Sequence, residues 1–293
     1  MSLPRSVRTT AGPSRGIDRP AVRLYSRVGL FYGLAIAIPW ALWTAASLVS
    51  RAGQGTAARW VTSGLGLAGL ASPMLTAAAL IRRDPRLRRD VIGRMTAPRG
   101  TALAWAAVAI ALMPIALLAA TAVSVACGGS TEQFELNRHS AVMIGTIPGW
   151  VTITLAPLLE ELAWHGYGTD ALTARWSLWR TTWAFTVFWA LWHAPLAGIR
   201  GSYQAEVTDT GPLAGANFLL SLLLFTILMN WLYYRCGRSI WIAVLFHLCA
   251  NVGNELFRTS PGTKVIQTLI LVPVCIWVLW HDRALFLTRP ETQ

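Results

Sequence analysis

The sequence predicts an all-α polytopic membrane protein of about eight transmembrane helices in one bundle, and three observations carry that prediction. Of its 293 residues 54% are hydrophobic and only 13% charged, far from the balance of a soluble domain. The apolar residues gather in runs close to the roughly 20 residues that cross a bilayer as a helix. The basic residues sit in short clusters between those runs, as charges that orient a membrane protein do.

The elements follow in order. Residues 1–27 are polar and Arg-rich, and their basic start is not followed by the short apolar core and small-residue cleavage site of a signal peptide; they read as a disordered cytoplasmic tail. Spans are expected at about 28–49 and 60–81, the second with Gly64, Gly66 and Gly69 to let a neighbour approach. The densest basic run, residues 82–99, reads as a solvated cytoplasmic loop facing the lipid headgroups. Further spans are expected at about 101–126, 142–163, 181–199, 213–234, 239–257 and 264–280. Residues 164–180, with Trp164, Trp176 and Trp179 among Arg175 and Arg180, read as interfacial, and 200–212 as a loop. The transmembrane domain is thus 28–280, with a motif-bearing core at 140–255 and a cytoplasmic tail at 281–293.

With the N-terminus inside, nineteen basic residues fall in inside segments and six in outside ones. Both termini are therefore expected in the cytoplasm. The net charge of +12 does not point to nucleic acid, because no basic face is interleaved with aromatics. The four cysteines, Cys127, Cys236, Cys249 and Cys275, show no paired spacing, so no disulfide or zinc-ribbon framework is implied. Lys264 is the single lysine; with abundant Ala, Gly and Trp this suggests a GC-rich bacterial genome and a bacterial plasma-membrane location.

Ionisable residues inside apolar spans are expensive and mark functional sites. Glu160 and Glu161 end the fourth expected span, His193 lies in the fifth, and His247 and Asn251 in the seventh. His247 and Asn251 are four apart and share a helix face, whereas the adjacent glutamates point about 100° apart, so one faces the centre and the other supports it. Glu161 and His165, also four apart, are placed to pair. The fourth helix must continue past Glu161 toward Gly166 or Gly168 for the carboxylates to lie below the surface, with Pro157 as a bend. A buried carboxylate beside an imidazole takes a proton from water, and a second histidine with an amide donates to an oxyanion. No cofactor is required for that chemistry. The alternative is zinc held by Glu160, His193 and His247 with water in the open position, although HExxH is absent.

These residues, Glu160-Glu161-x-x-x-His165-Gly166, an aromatic at Trp189 four before His193, and His247-x-x-x-Asn251, resemble the CPBP (Abi) family of intramembrane proteases, which includes the CAAX-prenyl protease of eukaryotes. The resemblance spans about residues 140–255. It implies that Glu160 activates water with His193, that His247 and Asn251 stabilise the oxyanion, and that Glu161 is an accessory carboxylate. The family usually has arginine where this chain has His165 and phenylalanine where it has Trp189. A charge on His165 that is lost near neutral pH would make activity fall as the ring deprotonates.

The leading expectation is an endopeptidase cutting a membrane-associated or prenylated peptide near the cytoplasmic face, with the lipid bilayer and that peptide as its partners. The alternatives are a non-proteolytic scaffold or bacteriocin self-immunity protein, and an isoprenoid-processing enzyme working in a cavity walled by Trp164, Trp183, Trp189 and Trp192. His139 and His281 read as span-end residues and Asn230 as interhelical glue.

Overall fold

The computed structural model describes residues 19–53, 55–95, 102–137 and 143–288. His139, Arg99, residues 1–18 of the expected N-terminal tail and residues 289–293 of the C-terminal one lie outside the described residues. The helices are α1 Arg19–Val22, α2 Val28–Ala52, α3 Thr56–Arg82, α4 Pro85–Arg94, α5 Ala102–Ala126, α6 Gly149–Ala163, α7 Thr169–Thr173, α8 Leu178–His193, α9 Tyr203–Thr210, α10 Pro212–Arg235, α11 Ile240–Leu256, α12 Pro261–His281 and α13 Arg283–Leu287. The protein is an all-α polytopic membrane protein; the short hairpin of β1 Met143–Ile144 and β2 Ile147–Pro148 is an ornament on it.

Five helices, α2, α3, α5, α10 and α12, are long and apolar enough to cross a membrane. The three that carry the sequence-predicted site are the short ones: α6 has 15 residues, α8 has 16 and α11 has 17, or about 23–26 Å each. The fourth expected span is shortened because residues 143–148, apolar enough to extend the run, turn instead through Gly145 at φ +65°. Ser63 of α3 holds that turn, its Oγ accepting the Thr146 N–H at 2.7 Å. The fifth ends at His193, where Pro195 opens a 3-10 turn over Ala194–Gly198.

Two expected loops are helices. Residues 203–210 form α9, capped by Ser202 accepting the Ala205 N–H at 3.1 Å. The basic run forms α4, with Pro85 at its first position and Asp84 capping Arg86 at 2.8 Å. Leu87 and Val91 face inward while Arg86, Arg88 and Arg89 face out. Arg94, at its end, is buried, so the run is an amphipathic helix and not a solvated loop.

α2 packs along α3, α3 against α6, α11 against α5 and α6, and α10 against α8 and α12. Two of the three glycines expected to admit a neighbour do so, Gly66 and Gly69, where the Trp43 indole donates to the Gly66 carbonyl at 3.0 Å; Gly64 is exposed with no neighbour against it. A Cβ on Gly69 would lie 2.2 Å from Trp43 Nε1. Gly69→Ala is therefore expected to cost about 1–3 kcal/mol of stability by overpacking, read as a lower unfolding midpoint in detergent.

Candidate active site

The α6 helix does run on past the glutamates. Its last turn widens into a π-helical turn over Trp164–Gly168 and continues as α7. A π turn displaces backbone bonds, and here side chains take the carbonyls it frees. Arg94 of α4 donates to the His165 carbonyl at 2.8 Å and the Gly166 carbonyl at 3.1 Å, and the Tyr233 hydroxyl of α10 donates to the former at 3.0 Å.

The two adjacent carboxylates face different surroundings. Glu161 is fully buried and holds two imidazoles: His165 Nδ1 donates to Oε2, and His247 Nδ1 donates to Oε1 at 2.7 Å. The other His165 nitrogen meets Asn230 Oδ1 at 3.1 Å, while Asn230 donates to the Thr182 hydroxyl at 2.9 Å. Asn230 thus joins α6, α8 and α10. Both His165 nitrogens meet acceptors, an arrangement that a ring carrying two protons satisfies.

Glu160 instead borders a cavity of about 460 Å³. One of its oxygens, Oε2, accepts from Trp189 Nε1 at 3.0 Å and Trp164 Nε1 at 3.2 Å. The same cavity is lined by His193, His247 and Asn251, so the residues singled out on three spans meet, with Glu161 behind them. His193 Nδ1 donates to the Trp189 carbonyl at 2.7 Å, which leaves Nε2 as an acceptor. The walls include Trp43, Trp189, Trp192, Phe218 and Phe225. Trp183 is exposed and is not one of them. Trp164 is fully buried against Phe31, Phe185, Phe188 and Trp192, so it belongs to the core and not to an interfacial belt. Among the described residues no group of three or more His, Cys, Asp or Glu is placed to hold a metal ion.

Sequence reasoning missed the support beneath this centre. Arg238 donates to Asp170 Oδ2 at 2.5 Å and to both oxygens of Asp90 at 3.0 and 2.9 Å; Arg94 bonds Asp90 at 2.9 Å and lies 3.3 Å from Asp170. Two arginines and two aspartates thus form an electrically balanced square, buried except at the half-buried Asp90, with the hydroxyls of Tyr233 and Tyr234 on Asp170. Burial pushes the Asp170 carboxyl up, but the Arg238 and Arg94 guanidiniums more than offset that and hold it below its ordinary value. Its stabilisation is accordingly present at neutral pH and lost as pH falls through that lowered value.

The architecture is that of a polytopic helical membrane protein enclosing a polar centre within an apolar bundle. Residues 142–253 match the family model described as Type II CAAX prenyl endopeptidase Rce1-like. The chain is 32% identical over 225 residues to a protein named CAAX prenyl protease 2 of Methanococcus maripaludis, an alignment covering 76% of this chain and 83% of that relative. This chain belongs to that family and is a membrane protease.

Proposed function

We propose that the protein hydrolyses a peptide bond of a membrane-associated, prenylated peptide with a water activated by Glu160 and His193. The observation carrying this reading is the sorting of the glutamate pair: Glu160 borders the cavity with His193, His247 and Asn251, and Glu161 is committed to His165 and His247. Water placed between Glu160 and the free Nε2 of His193 attacks the scissile carbonyl while Glu160 takes its proton. His247, held through Nδ1 by Glu161, and Asn251 one turn on donate to the oxyanion. Collapse breaks the C–N bond as the proton on Glu160 passes to the leaving amine. The aromatic walls accept the prenyl chain. Both termini lie in the cytoplasm on this reading, with residues 28–280 as one transmembrane domain. The testing experiment is hydrolysis of a farnesylated CAAX-type peptide by the purified full chain and its Glu160→Gln variant.

Trp189→Phe restores the residue usual in the family but removes one of two N–H donors from Glu160; we expect a lower kcat with KM little changed, checked by steady-state kinetics. Zinc, were it the agent, would be held by Glu160, His193 and His247. With a water activated by side chains alone, activity survives dialysis against a strong chelator, and loss restored by zinc would favour the metal.

His165→Arg tests the departure at that position. The ring is enclosed by Glu161, Asn230 and Tyr233, its ring 4.4 Å from that of Tyr233. Arginine there still offers N–H donors to Glu161, so the variant is expected to retain activity; a collapse of kcat would show the pocket to be fitted to the imidazole.

A further inference from the structure

A second recess lies on the outer face of the bundle, where Leu30, Leu34 and Leu75 are exposed, and it shares no residue with the catalytic cavity. It is a groove of about 500 Å³ between α2 and α3. Leu30, Leu34, Ile38 and Leu42 form one wall, each four residues after the last and so on one face of α2. Small residues of α3, Ala68, Ser72, Thr76 and Ala79, form the floor. The two hydroxyls are spent within their own helix, Ser72 Oγ donating to the Gly69 carbonyl at 2.8 Å and Thr76 Oγ1 to the Ser72 carbonyl at 2.9 Å. Among the described residues lining the groove Arg83 alone is charged, and it stands at one end.

That end is basic. α3 finishes at Arg82, Arg83 follows it, and Arg86 opens the first turn of α4. All three are exposed, and among the described residues none of them is in an ion pair. The two acids nearby are committed elsewhere: Asp84 caps α4 through the Arg86 N–H at 2.8 Å, and Asp90 holds Arg94 and Arg238. α4 has the form of a helix lying in an interface, with Arg86, Arg88 and Arg89 exposed beside an exposed Ile92 and, just past its end, Met95. Length agrees with that placement. Residues 53–55 turn α2 back into α3, so Leu30 lies toward the Arg83 end and Leu42 toward Ala68. From Leu30 to Leu42 the helix advances about 18 Å, close to the roughly 15 Å of one leaflet's hydrocarbon.

We propose that this groove holds one acyl chain of an anionic phospholipid, with the lipid phosphate seated on Arg83 and Arg86 at the turn between α3 and α4. A guanidinium fork meets a phosphate through two parallel N–H donors. Three cations without a carboxylate partner favour a headgroup of net negative charge, whereas the choline of a zwitterionic lipid would bring a further cation among them. The site is separate from the peptide chemistry, yet it touches the same scaffold. Arg86 lies in the first turn of the helix whose last residue, Arg94, holds the His165 and Gly166 carbonyls of the π turn.

Native mass spectrometry of the full chain in detergent tests it, with phosphatidylglycerol or phosphatidylcholine of matched acyl chains added. The wild type is expected to keep one phosphatidylglycerol per chain, at an occupancy at least about fivefold that of phosphatidylcholine, the preference that roughly 1 kcal/mol per arginine near an anionic headgroup supplies. Arg83→Gln is expected to lower phosphatidylglycerol occupancy about fivefold and to leave phosphatidylcholine unchanged. Ala68→Phe, at an exposed position in the groove, is expected to exclude both lipids. Leu34→Gln, on the other wall, repeats that test if the phenylalanine lowers the unfolding midpoint in lipid-free detergent. Equal retention of the two lipids by the wild type would overturn the proposal, as would an Arg83→Gln or groove variant that holds phosphatidylglycerol as the wild type does. A lipid-free dimer that Ala68→Phe dissociates would also overturn it, giving the groove to a second copy of the chain.

Discussion

Glu160→Gln is expected to lower kcat by about 10²- to 10⁴-fold, the range removed with a general base, while leaving the unfolding midpoint close to that of the wild type. The reason is local. Glu160 Oε2 accepts two indole N–H groups, and the amide oxygen of glutamine accepts them equally well, so the fold keeps its bonds while the site loses its base. Glu161→Gln should behave differently although the residue is adjacent. Its carboxylate receives His165 and His247 at full burial, and a neutral amide cannot accept from both rings with both of its terminal atoms. Stability and activity should fall together there. Full activity in Glu160→Gln would overturn the assignment of Glu160 as the base.

Arg238→Ala is expected to be the most destabilising single change, by about 3–5 kcal/mol, the cost of breaking a buried ion pair and leaving its partner uncompensated. Arg238 contacts both Asp90 and Asp170, so each carboxylate loses one of its two guanidinium partners and Arg94 alone is left to neutralise both. Asp90 and Asp170 also position Arg94, which holds the His165 and Gly166 carbonyls. The damage should therefore reach the site, lowering kcat in whatever fraction stays folded. Arg238→Lys keeps the charge but not the fork that spans two carboxylates, and should fall between the two. Denaturation in detergent, with activity normalised to folded protein, separates the effects; an Arg238→Ala protein as stable as wild type would show the square to be incidental.

These two sites differ in how far the sequence exposed them. Glu160, Glu161, His193, His247 and Asn251 stand out because an ionisable or amide group in an apolar run has no cheap alternative to function. Helical spacing alone separated the directions of the two glutamates and paired Glu161 with His165, though which glutamate faced the cavity came only from the resemblance. The square was hidden for the opposite reason. Arg94 lies in a run whose other described arginines are solvated, Arg238 in a turn between spans, and Asp170 just past the fourth expected span, where charges are ordinary. Apart from Arg94–Asp90, four residues apart on α4, their pairing depends on contacts 68 residues or more apart, which no local pattern carries. The span boundaries failed where local chemistry ran against hydropathy. Met143, Ile144 and Ile147 look like membrane helix, but Gly145 and Pro148 turn them into a hairpin.

The central claim is that water, held by Glu160 and His193, attacks the peptide directly with no covalent enzyme intermediate. Single-turnover cleavage of the farnesylated peptide in the presence of hydroxylamine tests it most directly. The account predicts a free carboxylate as the only new C-terminus and no dependence of its rate on hydroxylamine. A hydroxamate product would reveal an acyl intermediate on the enzyme and contradict the claim.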